Sequence, residues 1–188
     1  MHWLGRVALI ASLAYVGTMF DNFFAFAAQL VVTERSRFAR VSWAQVTGVT
    51  ALLIISAAVG SALATVPLRW VGLACVAPWA LAGYAWRHRR DEHASHFRRG
   101  ALTTFVATLT LGGDNLAVWI PLVRASGVSG GLMDVAVFTL WEMMFLGAAQ
   151  HLAGHPRVVE WGERHARSLV PWIYLALGAL VLVECGTL

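Results

Sequence analysis

The chain has 188 residues, 59% of them hydrophobic and 13% charged, with a mean hydropathy of +0.66 and a formal net charge of +4, all fourteen basic residues being arginine. A charged fraction about half the roughly 25% of soluble domains excludes an ordinary water-soluble globule, and the length holds about six membrane spans of roughly 20 residues with no separate soluble domain. The arginines sit in short loops, which points to membrane topology and away from nucleic acid as a partner.

In chain order, the first apolar stretch runs over residues 3–32. Arg6 ahead of an apolar run would suit a signal peptide, but the run continues past Asp21 and is too long for one, so it predicts the first membrane helix,. Further apolar stretches cover residues 46–66, 68–86, 101–123, 132–153 and 169–186,. The second and third are separated only by Val66-Pro67-Leu68, where a proline stops one helix and opens the next, which predicts a tight hairpin,. Arg35, Arg37 and Arg40 follow the first stretch; Arg87, Arg89, Arg90, Arg98 and Arg99 follow the third; Arg157, Arg164 and Arg167 follow the fifth. Only Arg6, Arg69 and Arg124 lie on the other side, so the positive-inside rule places the three arginine-rich loops in the cytoplasm and both termini outside,.

A shift of 93 positions brings Asp21-Asn22 onto Asp114-Asn115 and Pro78-Trp79 onto Pro171-Trp172. Two unusual dipeptides recurring at one offset predict an all-α polytopic fold of six transmembrane helices, built as two inverted three-helix repeats within one transmembrane domain. Repeat one covers about 1–90 and repeat two about 99–188, joined by the basic cytoplasmic loop 87–100. With three helices per half, helices one and four cross antiparallel, each carrying its Asp-Asn pair near mid-membrane.

An ionisable side chain at a helix centre costs roughly 2.5–3.5 kcal/mol on insertion scales, so such residues face the bundle interior and mark a pathway. Asp21, Asp114 and Glu142 are three of them, and no arginine lies deep in any span. Three carboxylates without a basic partner call for a bound cation or protons, and carboxylate plus amide oxygens suit a divalent metal. The predicted metal set is Asp21, Asn22, Asp114, Asn115 and Glu142, with Thr18 and Thr110 as outer ligands on the same helical faces,. Gly17 and Thr18 before Asp21, Gly112-Gly113 before Asp114 and Pro121 beyond it weaken both helices, so breaks that expose backbone carbonyls are expected there,. The alternative for the aspartates is a purely structural helix-to-helix hydrogen bond. Met19, Met143 and Met144 read as packing, Glu184 as a snorkelling end residue, and Cys75 and Cys185 as inert packing near the outer ends of the third and sixth helices. His88, His93 and His96 with Asp91 and Glu92 read as a solvated, orientation-setting loop, and His151 and His155 as interfacial,.

These residues resemble the cadmium resistance transporters of the CadD type, within the LysE superfamily of small exporters. The resemblance rests on Asp21-Asn22, on Gly112-Gly113-Asp114-Asn115 leading to Ile120-Pro121-Leu122, and on His155-Pro156-Arg157-Val158. It also rests on Pro171 with Leu177-Gly178 and on Glu184-Cys185-Gly186-Thr187, so the segments span nearly the whole chain. It implies a multi-pass exporter of the bacterial plasma (inner) membrane that carries a divalent cation such as Cd²⁺ as substrate, with both Asp segments at the transport site.

The expected partners are therefore the metal ion, protons in exchange and the lipid bilayer, with a homodimer left open; no cofactor is expected and no enzyme activity. One alternative is export of a small cationic solute such as an amino acid, its amine paired with the carboxylates. An alternative of another class is an intramembrane aspartyl protease using the two aspartates as an acid/base pair. The Leu111-Gly112-Gly113 run before Asp114 departs from the Gly-x-Gly-Asp of such proteases, and a Pro-Ala-Leu motif is absent from the sequence,.

Overall fold

The computed structural model describes residues 2–87 and 100–186, apart from the side chains of His2, Leu111, Val128 and Arg167. The described residues are helical throughout, without a strand. Helix α1 (His2–Thr18) leads into α2 (Phe20–Val31), with a bend of 53° between them. A 3-10 turn at Arg35–Arg37 opens α3 (Phe38–Ala62), which begins earlier than hydropathy alone suggests because the arginine-bearing segment is itself wound into helix. After a 3-10 turn at Leu63–Thr65, Pro67 starts the short α4 (Leu68–Val71) with its fixed φ, as the sequence predicts,. Another 3-10 turn, Gly72–Cys75, separates it from α5 (Val76–Arg87).

The second half has α6 (Ala101–Leu111), α7 (Gly113–Leu152) and α8 (Pro156–Glu184). The predicted fourth helix corresponds to α6 with the first limb of α7, and the predicted fifth to the second limb; the limbs are separated where Gly127 leaves helical geometry at φ 65 and ψ −172, a conformation that glycine takes without strain,. Helix α8 starts at Pro156, a residue suited to a first turn because its missing N–H would have no partner there, and it bends by 53° between Ala166 and Ser168,.

Two helical segments, residues 35–65 and 129–152, are each long and apolar enough to cross a membrane, and three bent pairs pass the same test jointly, giving between two and five candidate spans. The stretch predicted as a third membrane helix is not continuous: the tighter 3-10 turn at Gly72–Cys75 divides it into two short helices,.

Packing joins the first half to the second. Helix α1 lies on α7, α2 on α8, α3 on α6 and α7, and α5 on α8. Small residues permit the approach, as expected where lipid gives helices no hydrophobic reason to associate. A Cβ on Gly178 would fall 2.2 Å from the Trp79 indole nitrogen, which donates a hydrogen bond to the Leu175 carbonyl at 3.2 Å. One on Gly162 would fall 2.0 Å from the Phe24 ring. Arg124, read from the sequence as a loop charge, lies within α7, and its guanidinium donates to the carbonyls of Leu63 at 3.1 Å and Ala64 at 2.9 Å. It thereby caps the end of α3. Arg6 and Glu184 pair at 2.9 Å, linking the start of α1 to the end of α8. Leu102, Leu132, Trp43 and Ile54 remain exposed, an apolar outer surface of the kind that lipid covers,.

Candidate metal centre

The two Asp-Asn pairs follow two helix breaks of the same form. Met19 ends the run of α1 at φ −95, ψ 5, and Gly112, at the position 93 residues on, ends α6 at φ −83, ψ 6. The bends there are 53° and 58°. Each aspartate sits in the first turn of the helix beyond its break, where a negative charge meets the exposed N–H groups and the positive end of the dipole,. The Asn22 N–H, which an unbroken helix would give to the Thr18 carbonyl, is donated at 2.9 Å to the Asp21 carboxylate. Asn115 repeats this with Asp114, also at 2.9 Å. The second break depends on glycine: a Cβ on Gly112 would lie 2.2 Å from a Leu52 methyl and 2.7 Å from the Thr108 carbonyl oxygen.

Asp21 and Asp114 lie within electrostatic reach of each other, and Tyr174 of α8 within reach of both. The Tyr174 hydroxyl donates a hydrogen bond to Asp114. Among the described residues, no basic side chain acts on either aspartate. The Met19 sulfur lies between the two amides, 3.3 Å from Asn115 Nδ2 and 3.8 Å from Asn22 Nδ2. Asn115 is fully buried, and its Oδ1 has no hydrogen-bond partner. Such an orphaned acceptor is costly unless something donates to it or a cation binds it.

The other predicted residues are placed as follows. Glu142 is buried on the face of α7 that packs on α1, where the Tyr15 hydroxyl donates to it, and its second oxygen has no partner. Among the described residues no three His, Cys, Asp or Glu side chains gather closely enough to hold a metal, so Asp21, Asp114 and Glu142 do not form one three-carboxylate cluster. Thr18 is buried beside the break, donating to the Ala14 carbonyl at 2.8 Å and accepting from the Trp119 indole at 3.1 Å. Thr110 is exposed, and its hydroxyl donates to the Val106 carbonyl at 2.8 Å. Met143 and Met144 are about half exposed on the outer surface. Cys75 and Cys185 are both buried as free thiols within electrostatic reach of each other, remote from the aspartates in sequence. The His151 and His155 rings lie 5.5 Å apart at the turn between α7 and α8. His88, His93 and His96, with Asp91 and Glu92, lie outside the described residues.

A family model for the cadmium resistance transporter matches residues 15–188, which takes in both breaks and both Asp-Asn pairs. The chain belongs to the cadmium resistance transporter family. No curated protein and no solved structure matches it. Family membership together with the apolar helical architecture makes the chain a membrane transporter of the cadmium efflux type.

Three buried polar residues escaped the sequence reading, of which Tyr174 lies at the centre itself. Tyr15 and Tyr174 are two of only three tyrosines in the chain, and both fall inside apolar runs, where a phenol needs a hydrogen-bond partner,. That signal would have pointed toward the carboxylates they bond. Asp134 is 1% exposed near the start of the second limb of α7, with only the Ser126 hydroxyl near it and no well-aligned hydrogen bond to either oxygen. It lies eight residues before Glu142, close to the same side of the helix.

Proposed function

We propose that the chain is a secondary transporter that exports a divalent metal cation, Cd²⁺ or one of similar chemistry, across the bacterial plasma membrane in exchange for protons. The observation that carries this reading is the convergence of Asp21 and Asp114 with no basic side chain acting on them. Two carboxylates so placed in apolar surroundings require a positive charge. Asn22 and Asn115 add neutral oxygens once their amides rotate, and Met19 adds a soft sulfur. The metal would be held by Asp21, Asp114, Asn22, Asn115 and Met19. Glu142, outside this group and bonded to Tyr15, is the carboxyl left to carry the proton.

Supporting an inverted-repeat architecture, the breaks, the Asp-Asn hydrogen bonds and the Pro-Trp pairs all recur at the same offset of 93 residues. On this reading six membrane segments, the third of them interrupted at Gly72–Cys75, place both termini outside and the arginine-rich loops in the cytoplasm,. The ion enters from the cytoplasm, and rocking of one half against the other exposes the site outward.

Titration calorimetry on the purified chain with Cd²⁺, Zn²⁺ and Mn²⁺, and with lysine as the rival solute, tests the assignment. The parent binds at least one metal and no lysine, while Asp21→Asn and Asp114→Asn each weaken binding by about tenfold or more, as loss of a charged ligand requires. Folded variants that bind metal as the parent does would remove the aspartates from the site. Heat on lysine addition with none for metals would favour the cationic solute.

A further inference from the structure

Between α2, α3 and α6 lies a second polar cluster that neither the family match nor the aspartate centre accounts for. The Gln29 amide donates to the Thr104 hydroxyl at 2.5 Å, and Thr108 donates to the Gln45 carbonyl oxygen at 2.5 Å. All four side chains are more than nine-tenths buried, and Gln29 Oε1 has no partner. They line a cavity of about 10 Å³ that reaches Asn22, room for about one water-sized guest,. Thr104 and Thr108, four residues apart, share one face of α6. Gln29, Gln45 and Thr104 lie toward the arginine-bearing ends of their helices, near Arg35, Arg40 and Arg99 respectively in sequence, and Thr108 lies one turn farther along α6 toward Gly112.

The positions 93 residues away from these four are different in kind. Gln29 corresponds to Leu122, Gln45 to Phe138, Thr104 to Ala11 and Thr108 to Tyr15, each buried. There the rings close on one another: Tyr15 to Trp119 at 6.1 Å, Tyr15 to Phe138 at 5.5 Å and Trp119 to Phe138 at 4.9 Å. One side of the Asp-Asn centre is thus lined with neutral amide and hydroxyl oxygens, and the related side is closed by aromatic rings packed around the Tyr15–Glu142 hydrogen bond. A cluster kept only to join helices would satisfy its own acceptors, since an unpaired amide oxygen in an apolar interior is a net loss.

We propose that Gln29, Gln45, Thr104 and Thr108 form an uncharged binding station through which a divalent cation passes from the arginine-rich face to the Asp-Asn centre. The proposal rests on the cation reading above. Amide and hydroxyl oxygens replace part of the ion's hydration shell without adding charge, so the ion is held weakly enough to move on to the aspartates. The aromatic seal on the related side keeps the two faces from opening together.

The test measures initial rates of Cd²⁺ movement against Cd²⁺ concentration in vesicles of both orientations, for the parent, Gln29→Leu, Gln45→Leu and Thr108→Val. With Cd²⁺ on the arginine-rich face, each variant raises the half-saturating concentration by about fivefold, the scale of one lost neutral ligand. With Cd²⁺ on the opposite face, rates stay within about twofold of the parent, and so does calorimetric affinity at the Asp-Asn centre. Parent-like saturation from the arginine-rich face would overturn the station while leaving the aspartate site intact. Equal loss from both faces would reduce the cluster to a packing role. A parent that neither binds nor moves any divalent metal would sink the cation reading itself.

Discussion

Met19 fills the gap that its break creates, and its sulfur touches the amides of both asparagines. A thioether prefers soft cations, so on the proposed metal reading Met19 would supply a preference for Cd²⁺ over Mn²⁺ that oxygen ligands alone cannot give. Met19→Leu keeps the volume and removes the sulfur. The expected result is a Cd²⁺ affinity about fivefold lower with Mn²⁺ affinity unchanged, read by calorimetry, together with loss of sulfur scattering around bound Cd²⁺ in X-ray absorption. Equal Cd²⁺ coordination in parent and variant would exclude the sulfur from the site. The aspartates were legible in the sequence because a charge in an apolar run stands out, whereas Met19 and the tyrosines blend into such a run. The expected roles of Thr18 and Thr110 assumed unbroken helical faces. Spacing of three or four residues aligns side chains only within one helix, and bends of 53° and 58° intervene at Met19 and Gly112,.

Among the elements, the break between α6 and α7 is where sequence and structure agree most closely. The Gly112-Gly113 dipeptide predicts a weakened helix, but only the structure separates the two residues. Gly112 is buried, with no room for a Cβ between Leu52 and the Thr108 carbonyl, while a Cβ on Gly113 meets nothing within 4 Å. Gly112→Ala therefore overpacks the contact with α3 and costs about 1–3 kcal/mol. Thermal melting in detergent should show it several degrees below the parent, with Gly113→Ala close to the parent. If the two alanine variants melt together, the break is not pinned at Gly112. The kink at Gly127 and the division of the third segment at Gly72–Cys75 were not legible, because hydropathy reports apolar length and carries no information on φ and ψ,.

At the scale of the whole molecule, the 93-residue offset that relates the Asp-Asn pairs also relates two helix ends with similar backbone angles, at Met19 and Gly112, although the residues there differ. What the offset could not show is where the pairing fails. The amide and hydroxyl cluster and the aromatic packing around Tyr15 occupy positions 93 residues apart with different chemistry, which would suit a carrier that must treat its two faces differently. That difference lies in side chains compared across the repeat, and a search for identities passes over it.

Apart from the short α4, each helix of the first half finds its principal partners in the second: α1 on α7, α2 on α8, α3 on α6 and α7, and α5 on α8. During synthesis, then, the first half waits with Gln29 and Gln45 lacking their partners Thr104 and Thr108, for roughly 5–20 s at 5–20 residues per second, until the rest of the chain is made. An N-terminal fragment ending within 88–99 should be degraded when expressed alone. Co-expressed with the remainder as a second chain, it should accumulate and restore cadmium tolerance to a sensitive host, as blotting and growth on the metal would show. A lone fragment that persists would mean that the first half has a core of its own. For this molecule the window of greatest vulnerability lies within translation, while the first half still has no partner.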